Sequence, residues 1–211
     1  MSKKKIFLLG NSGVGKTTLF QELQSEYVEQ FNFVTDESFK LNTKTFTELP
    51  MAEQQRGMIN YLVNRDTEPV EKVTIYDEGV LSTLIWSKAL LMTKLISQDE
   101  YCFHRTMVAE KILEIKDALV IVLESNLDVI RQNIKKRGRS IEHLDSTFKV
   151  VYDTYVEIYY DEMTRLTSSF FSDEFTILLG FSKGVNDVKE EVKKLLKIYQ
   201  VIKGDDEHVS K

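Results

Sequence analysis

The chain has 211 residues, only two prolines, and a formal net charge of −5. That length holds one domain whose core needs neither disulfides nor a structural metal. Apolar residues make up 42% and charged residues 29%, an ordinary globular composition, and the acidic balance argues against a duplex nucleic-acid binder, which carries a basic excess. The single cysteine, Cys102, cannot form an intrachain disulfide, so a reducing compartment fits, and a residue of this type is expected in the interior. The basic start Met1–Lys5 leads into an apolar run too short for a signal peptide. No stretch approaches the ~20 apolar residues of a membrane helix. The expected setting is cytoplasmic, with no membrane or nucleic-acid partner. The oligomeric state stays open, a homodimer included.

Ile6–Leu9 is continuously apolar, as a strand buried on both faces is. It runs into Gly10, Asn11, Ser12, Gly13, Val14, Gly15, Lys16 and Thr17, a match to G-x-x-x-x-G-K-[ST]. A helical pattern over Thr17–Glu29 follows. A fainter strand, Asn32–Thr35, ends in Asp36-Glu37. The β-branched and aromatic run Val73–Tyr76 ends in Asp77-Glu78-Gly79. Leu81, Leu84, Ile85, Leu91 and Leu95 predict a helix over Leu81–Ile96, and Tyr101, Val108, Ile112 and Ile115 predict another. Ala118–Leu123 is the clearest strand. Leu127, Ile130 and Ile134 form one helical stripe; Phe148, Val151, Tyr152, Tyr155, Ile158 and Tyr159 form a longer one. Phe175–Leu179 is a fifth strand, and Val188, Val192, Leu195, Leu196 and Tyr199 mark the last helix. Strands alternating with helices predict an α/β three-layer sandwich with a five-stranded parallel sheet. Residues 1–203 read as a single domain with a small lid at about 131–145, and 204–211 as a flexible polar tail.

The glycine loop has the chemistry of a triphosphate cradle. Glycines let the backbone curl so that successive N–H groups face phosphate oxygens. The helix that follows adds its partial positive charge. Lys16 is placed to reach the β and γ phosphates, Thr17 to ligate Mg²⁺ through its hydroxyl, and Thr18 to offer a further amide.

Ligands of an open parallel sheet sit beyond the carboxyl ends of its strands. There the chain concentrates acids: Asp36 and Glu37 after the second strand, Asp77 and Glu78 after the third. Asp77 and Glu78 are expected to serve the Mg²⁺ shell, Thr17 supplying the direct ligand. Glu124, after the fourth strand, reads as a strand-end cap. Further on, Arg131–Arg139 is strongly basic. Lys135 and Lys136 read as a solvated face. Arg137 and Arg139 flank Gly138, an arrangement suited to closing over a transferring phosphoryl group. Trp86 stands where an acceptor could stack, although core filling explains it equally. His104 reads as a satisfied surface or core histidine.

These stretches resemble the deoxynucleoside and nucleoside monophosphate kinases. The likeness rests on GNSGVGKTTL, on Val34-Thr-Asp-Glu-Ser38, on Tyr76-Asp-Glu-Gly79, and on the segment from Val120 through Glu142 with its RGRxxE unit. It implies a P-loop fold of strand order 2-3-1-4-5. It also implies that Glu37 takes the proton from the acceptor hydroxyl. Arg137 and Arg139 would then clamp ATP phosphates, and Glu142 would contact the acceptor's sugar. One departure stands out: those kinases carry an arginine after the third strand, where this chain has Asp77-Glu78-Gly79.

The function expected from the sequence is phosphotransfer from Mg-ATP to a small-molecule acceptor, a nucleoside or nucleotide. The competing reading is a P-loop ATPase or GTPase without such an acceptor. A GTPase should show N-K-x-D and D-x-x-G, and a transporter-type ATPase should show an L-S-G-G-Q-like segment; none is found. The Asp77-Glu78 pair alone is compatible with water activation. Neither the acceptor nor the choice of ATP over GTP can be read from the chain.

Overall fold

The computed structural model describes residues 4–37, 47–136, 146–171, 176–180 and 185–198. Arg137, Arg139, Glu142, most of the expected lid and the tail lie outside them.

The elements run β1 (Lys5–Gly10), α1 (Lys16–Tyr27), β2 (Asn32–Val34), α2 (Met51–Thr67), β3 (Thr74–Asp77), α3 (Val80–Met92), α4 (Gln98–Ile112), a 3₁₀ turn (Leu113–Ile115), β4 (Leu119–Glu124), α5 (Leu127–Lys136), α6 (Ser146–Phe170), β5 (Thr176–Gly180) and α7 (Val185–Ile198). The α/β class and the parallel order β2-β3-β1-β4 agree with the sequence reading, and β5 pairs in parallel with the outer side of β4. Leu8 stands opposite Asp77 on β3 and Ile121 on β4. The loops after β1 and β3 therefore leave the sheet side by side.

Strand alternation divides the core in two. Ile6, Leu8, Ile75, Leu119, Ile121 and Leu123 pack with α1 and α7. Phe7, Leu9, Tyr76, Val120 and Val122 face the layer of α2, α3, α4 and α6. This is why Ile6–Leu9 reads as unbroken apolar sequence: both of its faces are covered. α3 lies inside the second layer, with nine of its residues buried, and α6 runs along it.

Two expectations need correction. Cys102 is exposed. α4 buries Tyr101, His104, Val108 and Ile112, and a residue about 100° round the helix from Tyr101 points outward whatever its type. His104 is fully buried, yet neither ring nitrogen makes a hydrogen bond among the described residues. Burial holds its pKa below the ordinary value. The Ala52 backbone pulls the other way without closing a bond of normal geometry. It is a core histidine, but not a satisfied one.

Candidate functional site

The glycine loop wraps from the end of β1 into α1. Gly13 has φ 82° and Gly15 φ 103°, left-handed values that glycine adopts without steric cost. Gly15 is the N-cap of α1. The first intrahelical bond runs from Leu19 N–H to the Gly15 carbonyl, at 3.1 Å. The amides of Lys16, Thr17 and Thr18 thus belong to the helix's first turn, which has no intrahelical acceptor to meet. The Thr17 and Thr18 side chains are exposed.

The near side of the loop is stitched to the protein. Asn11 donates from Nδ2 to the Val156 carbonyl at 2.8 Å, and its Oδ1 accepts from Ser12 N–H at 2.8 Å. Gly10 N–H donates to the Tyr159 hydroxyl at 2.9 Å. Asn133, on α5, donates to the Gly13 carbonyl at 2.9 Å. The Val14 side chain is buried in the α1 core. The Asn11 and Val14 side chains are therefore turned to the protein, and the Val14 N–H donates to the Asn11 carbonyl at 3.2 Å.

The loop meets the end of β3. Lys16 Nζ lies 2.8 Å from Glu78 Oε2. The other Glu78 oxygen accepts from Ser82 Oγ, and Ser82 Oγ lies 2.9 Å from the Tyr159 hydroxyl. A continuous polar chain thus links Lys16, Glu78, Ser82, Tyr159 and the Gly10 amide. Burial acts to lower the Lys16 pKa, but the Glu78 and Asp77 carboxylates outweigh it, and the net shift is upward. The ammonium stays charged across the physiological range. Burial also lifts the Tyr159 hydroxyl well above the usual tyrosine value, with Glu78 adding to it, so Tyr159 remains a neutral donor and acceptor.

Asp77 sits deeper. Burial raises its pKa, Lys16 opposes that, and Glu78 and Asp36 add to it. Its Oδ1 is buried with no hydrogen-bond partner among the described residues. Among the described residues no group of three or more His, Cys, Asp or Glu is placed to hold a metal ion. Mg²⁺ keeps several waters and takes one or two protein carboxylates plus substrate phosphates. The residues present fit such an ion: the Thr17 hydroxyl for direct contact, and the unsatisfied Asp77 oxygen for a bound water.

Beneath the β3 loop lies a buried pair from α2. Arg65 Nε and Nη2 donate to Asp66 Oδ1 at 2.8 and 2.6 Å, and Arg65 Nη2 also donates to the Glu78 carbonyl at 2.9 Å. Asp66 Oδ2 accepts from Val80 N–H at 2.8 Å. Burial lifts Asp66 to about 6, against the pull of Arg65. A raised carboxyl pKa means that the folded chain holds this proton more tightly than the unfolded chain does. The stabilisation from that proton is full below the unfolded pKa near 4 and is lost as pH rises through about 6. Urea unfolding should therefore show the wild type losing stability relative to Asp66→Asn between pH 4 and pH 7. A constant difference over that range would refute the assignment.

Lys16, Asp77 and Glu78 come together as the sequence suggested. Asp36, after β2, acts electrostatically on both Lys16 and Asp77, whereas Glu37 is half-buried one residue further on. Trp86 is half-buried, its ring 5.3 Å from Tyr155 and Tyr155 5.3 Å from Tyr159, both pairs edge to face. An aromatic row thus leads from Trp86 to the loop. Lys135 and Lys136 are exposed, as a solvated face requires. Ser82, Tyr159, Arg65 and Asp66 carry no motif, and pairing of residues 77 positions apart leaves no trace in local spacing.

No protein-family model matches the chain, and no curated protein does. Solved structures do. Deoxyadenosine kinase from M. mycoides with dCMP and dCDP superposes at TM-score 0.70 with 19% identity, over 92% of this chain and 98% of that one. The same enzyme with dATP gives 0.62 and 20%, over 92% and 99%. YorR protein from Bacillus subtilis, in complex with phosphorylated GDP, gives 0.54 and 18%, over 94% and 99%. At such identities the likeness speaks for architecture, and the architecture here is the deoxynucleoside kinase-like P-loop kinase fold.

Proposed function

We propose that the protein transfers the γ-phosphoryl group of ATP to a hydroxyl of a small acceptor, a nucleoside or nucleotide. The observation that carries this reading is the meeting of Lys16 with the acids that end β3, at the mouth of a glycine loop opening a helix.

In this reading the main-chain amides of Gly13, Gly15, Lys16, Thr17 and Thr18 hold the triphosphate, the Gly10–Ser12 side of the loop being tied to the protein, and Lys16 exchanges Glu78 for the β and γ phosphate oxygens. Thr17 would hold Mg²⁺, with Asp77 and Glu78 placed for its bound waters, and the ion would supply positive charge to the phosphates. Glu37 orients the acceptor hydroxyl and takes its proton, with Asp36 beside it. Arg137 and Arg139 close over the transferred group, and Glu142 meets the acceptor. Such catalysis is positioning and electrostatics. Trp86, half-buried, offers a surface on which a base can stack.

The test is ADP release from Mg-ATP in the presence of nucleosides, nucleoside monophosphates and small alcohols. The expected result is release that depends on one class of acceptor. Equal release with and without every acceptor would favour an NTP hydrolase and overturn the proposal.

A further inference from the structure

We propose that Arg65 and Asp66 are positioning residues that hold Glu78 in the conformation that meets Lys16. The inference rests on the phosphotransferase reading above, in which Glu78 belongs to the magnesium shell.

Glu78 has φ 83°, a left-handed value that side-chain-bearing residues rarely adopt and that persists only where the surroundings enforce it. The Glu78 N–H is tied to the Leu8 carbonyl at 3.2 Å, and two neighbouring residues of one helix hold the other side. Arg65 Nη2 holds the Glu78 carbonyl at 2.9 Å. Asp66 Oδ2 holds the Val80 amide at 2.8 Å. The residue between, Gly79, lies against the core: a Cβ there would stand 3.1 Å from Phe7 Cδ1 and 3.3 Å from Leu9 Cδ2. Peptide groups on both sides of Gly79 are thus fixed from below.

The pair is itself held. Arg65 binds Asp66 through two nitrogens and lies over the Tyr76 ring, 5.5 Å from its centroid. Lys5 Nζ donates to the Asp66 carbonyl at 2.6 Å. The side chains of Arg65 and Asp66 are 10% and 1% exposed. With its backbone fixed, Glu78 directs one carboxylate oxygen at Lys16 and the other at Ser82. Without the clamp, Glu78 relaxes to a negative φ and its Cα–Cβ bond swings out of line with Lys16. A lysine at position 65 would keep the charge but not the planar fork that reaches Asp66 and the Glu78 carbonyl together.

The experiment measures, by calorimetry, how much magnesium strengthens ATP binding in the wild type, Arg65→Lys, Arg65→Gln, Glu78→Gln and the double variant Arg65→Lys/Glu78→Gln. Thermal unfolding runs in parallel to establish which variants are folded. Outer-shell partners of a metal are commonly worth about ten- to a hundredfold in its affinity. The expected result is a loss of magnesium enhancement of about tenfold in Arg65→Lys or Arg65→Gln, with no further loss when that change is added to Glu78→Gln. A role in stability alone would leave the magnesium enhancement intact in the folded variants, or would add in full on the Glu78→Gln background; either result overturns the clamp. A wild type that binds no Mg-ATP would overturn both the clamp and the phosphotransferase reading beneath it.

Discussion

Lys16→Ala is expected to lower kcat by about 10²–10³, or ~3–4 kcal/mol of barrier, the usual worth of one preorganised charge contact in a transition state. Lys16 is mostly buried and its pKa is raised by Glu78 and Asp77, so it is a full cation across the physiological range. In the proposed transfer, charge spreads over the equatorial oxygens as the phosphoryl group leaves, and a fixed cation there helps the transition state more than the ground state. The substitution also leaves Glu78 beside Asp77 and Asp36 without its cation. Affinity for Mg-ATP should therefore fall together with kcat, while the fold survives because the core strands are untouched. The check is steady-state kinetics with circular dichroism. A folded Lys16→Ala protein with wild-type kcat would remove the lysine from the mechanism.

Gly13→Ala should have the next largest effect. Its φ of 82° costs a residue with a Cβ roughly 1–2 kcal/mol. The new methyl would also stand 3.0 Å from the Ile130 carbonyl and 3.0 Å from Ile134 Cγ1. Ile130 belongs to the backbone of α5, whose Asn133 already holds the Gly13 carbonyl, so the loop has nowhere to retreat. The loop amides turn away and Mg-ATP affinity is expected to fall about tenfold or more, since every 1.4 kcal/mol is a factor of ten. Calorimetry and a melting curve measure both parts. Unchanged affinity would show that the Gly13 backbone angle does not shape the cradle.

The parts of the fold that were legible are those where one physical demand rules the residue types. β1 and β4 are covered on both faces, so only apolar residues serve, and both strands stand out. The loop from Gly10 to Thr17 is legible because phosphate-facing amides require glycine and a lysine at fixed spacing. β2 is faint because it has three residues, one of them the exposed Asn32. The apolar stripe of α2, Ala52, Ile59, Leu62 and Val63, is interrupted because Gln55 and Asp66 take two of its buried positions. Each is polar and satisfied: Gln55 donates to the Thr83 carbonyl and Ser87, and Asp66 caps the start of α3. Polar residues with tertiary partners look like surface to any pattern of hydropathy, and so the helix that holds the β3 loop escaped the sequence. Cys102 was misplaced for the converse reason: residue type argued for burial, and the helical phase decided against it.

The most direct measurement of the central claim is calorimetric titration of the wild-type chain with Mg-ATP, beside Lys16→Ala. The account predicts a single saturable site in the wild type and a large loss of affinity in the variant, as the lysine that leaves Glu78 for phosphate is no longer there. No heat of binding at saturating Mg-ATP, or equal affinity in the two proteins, would contradict it.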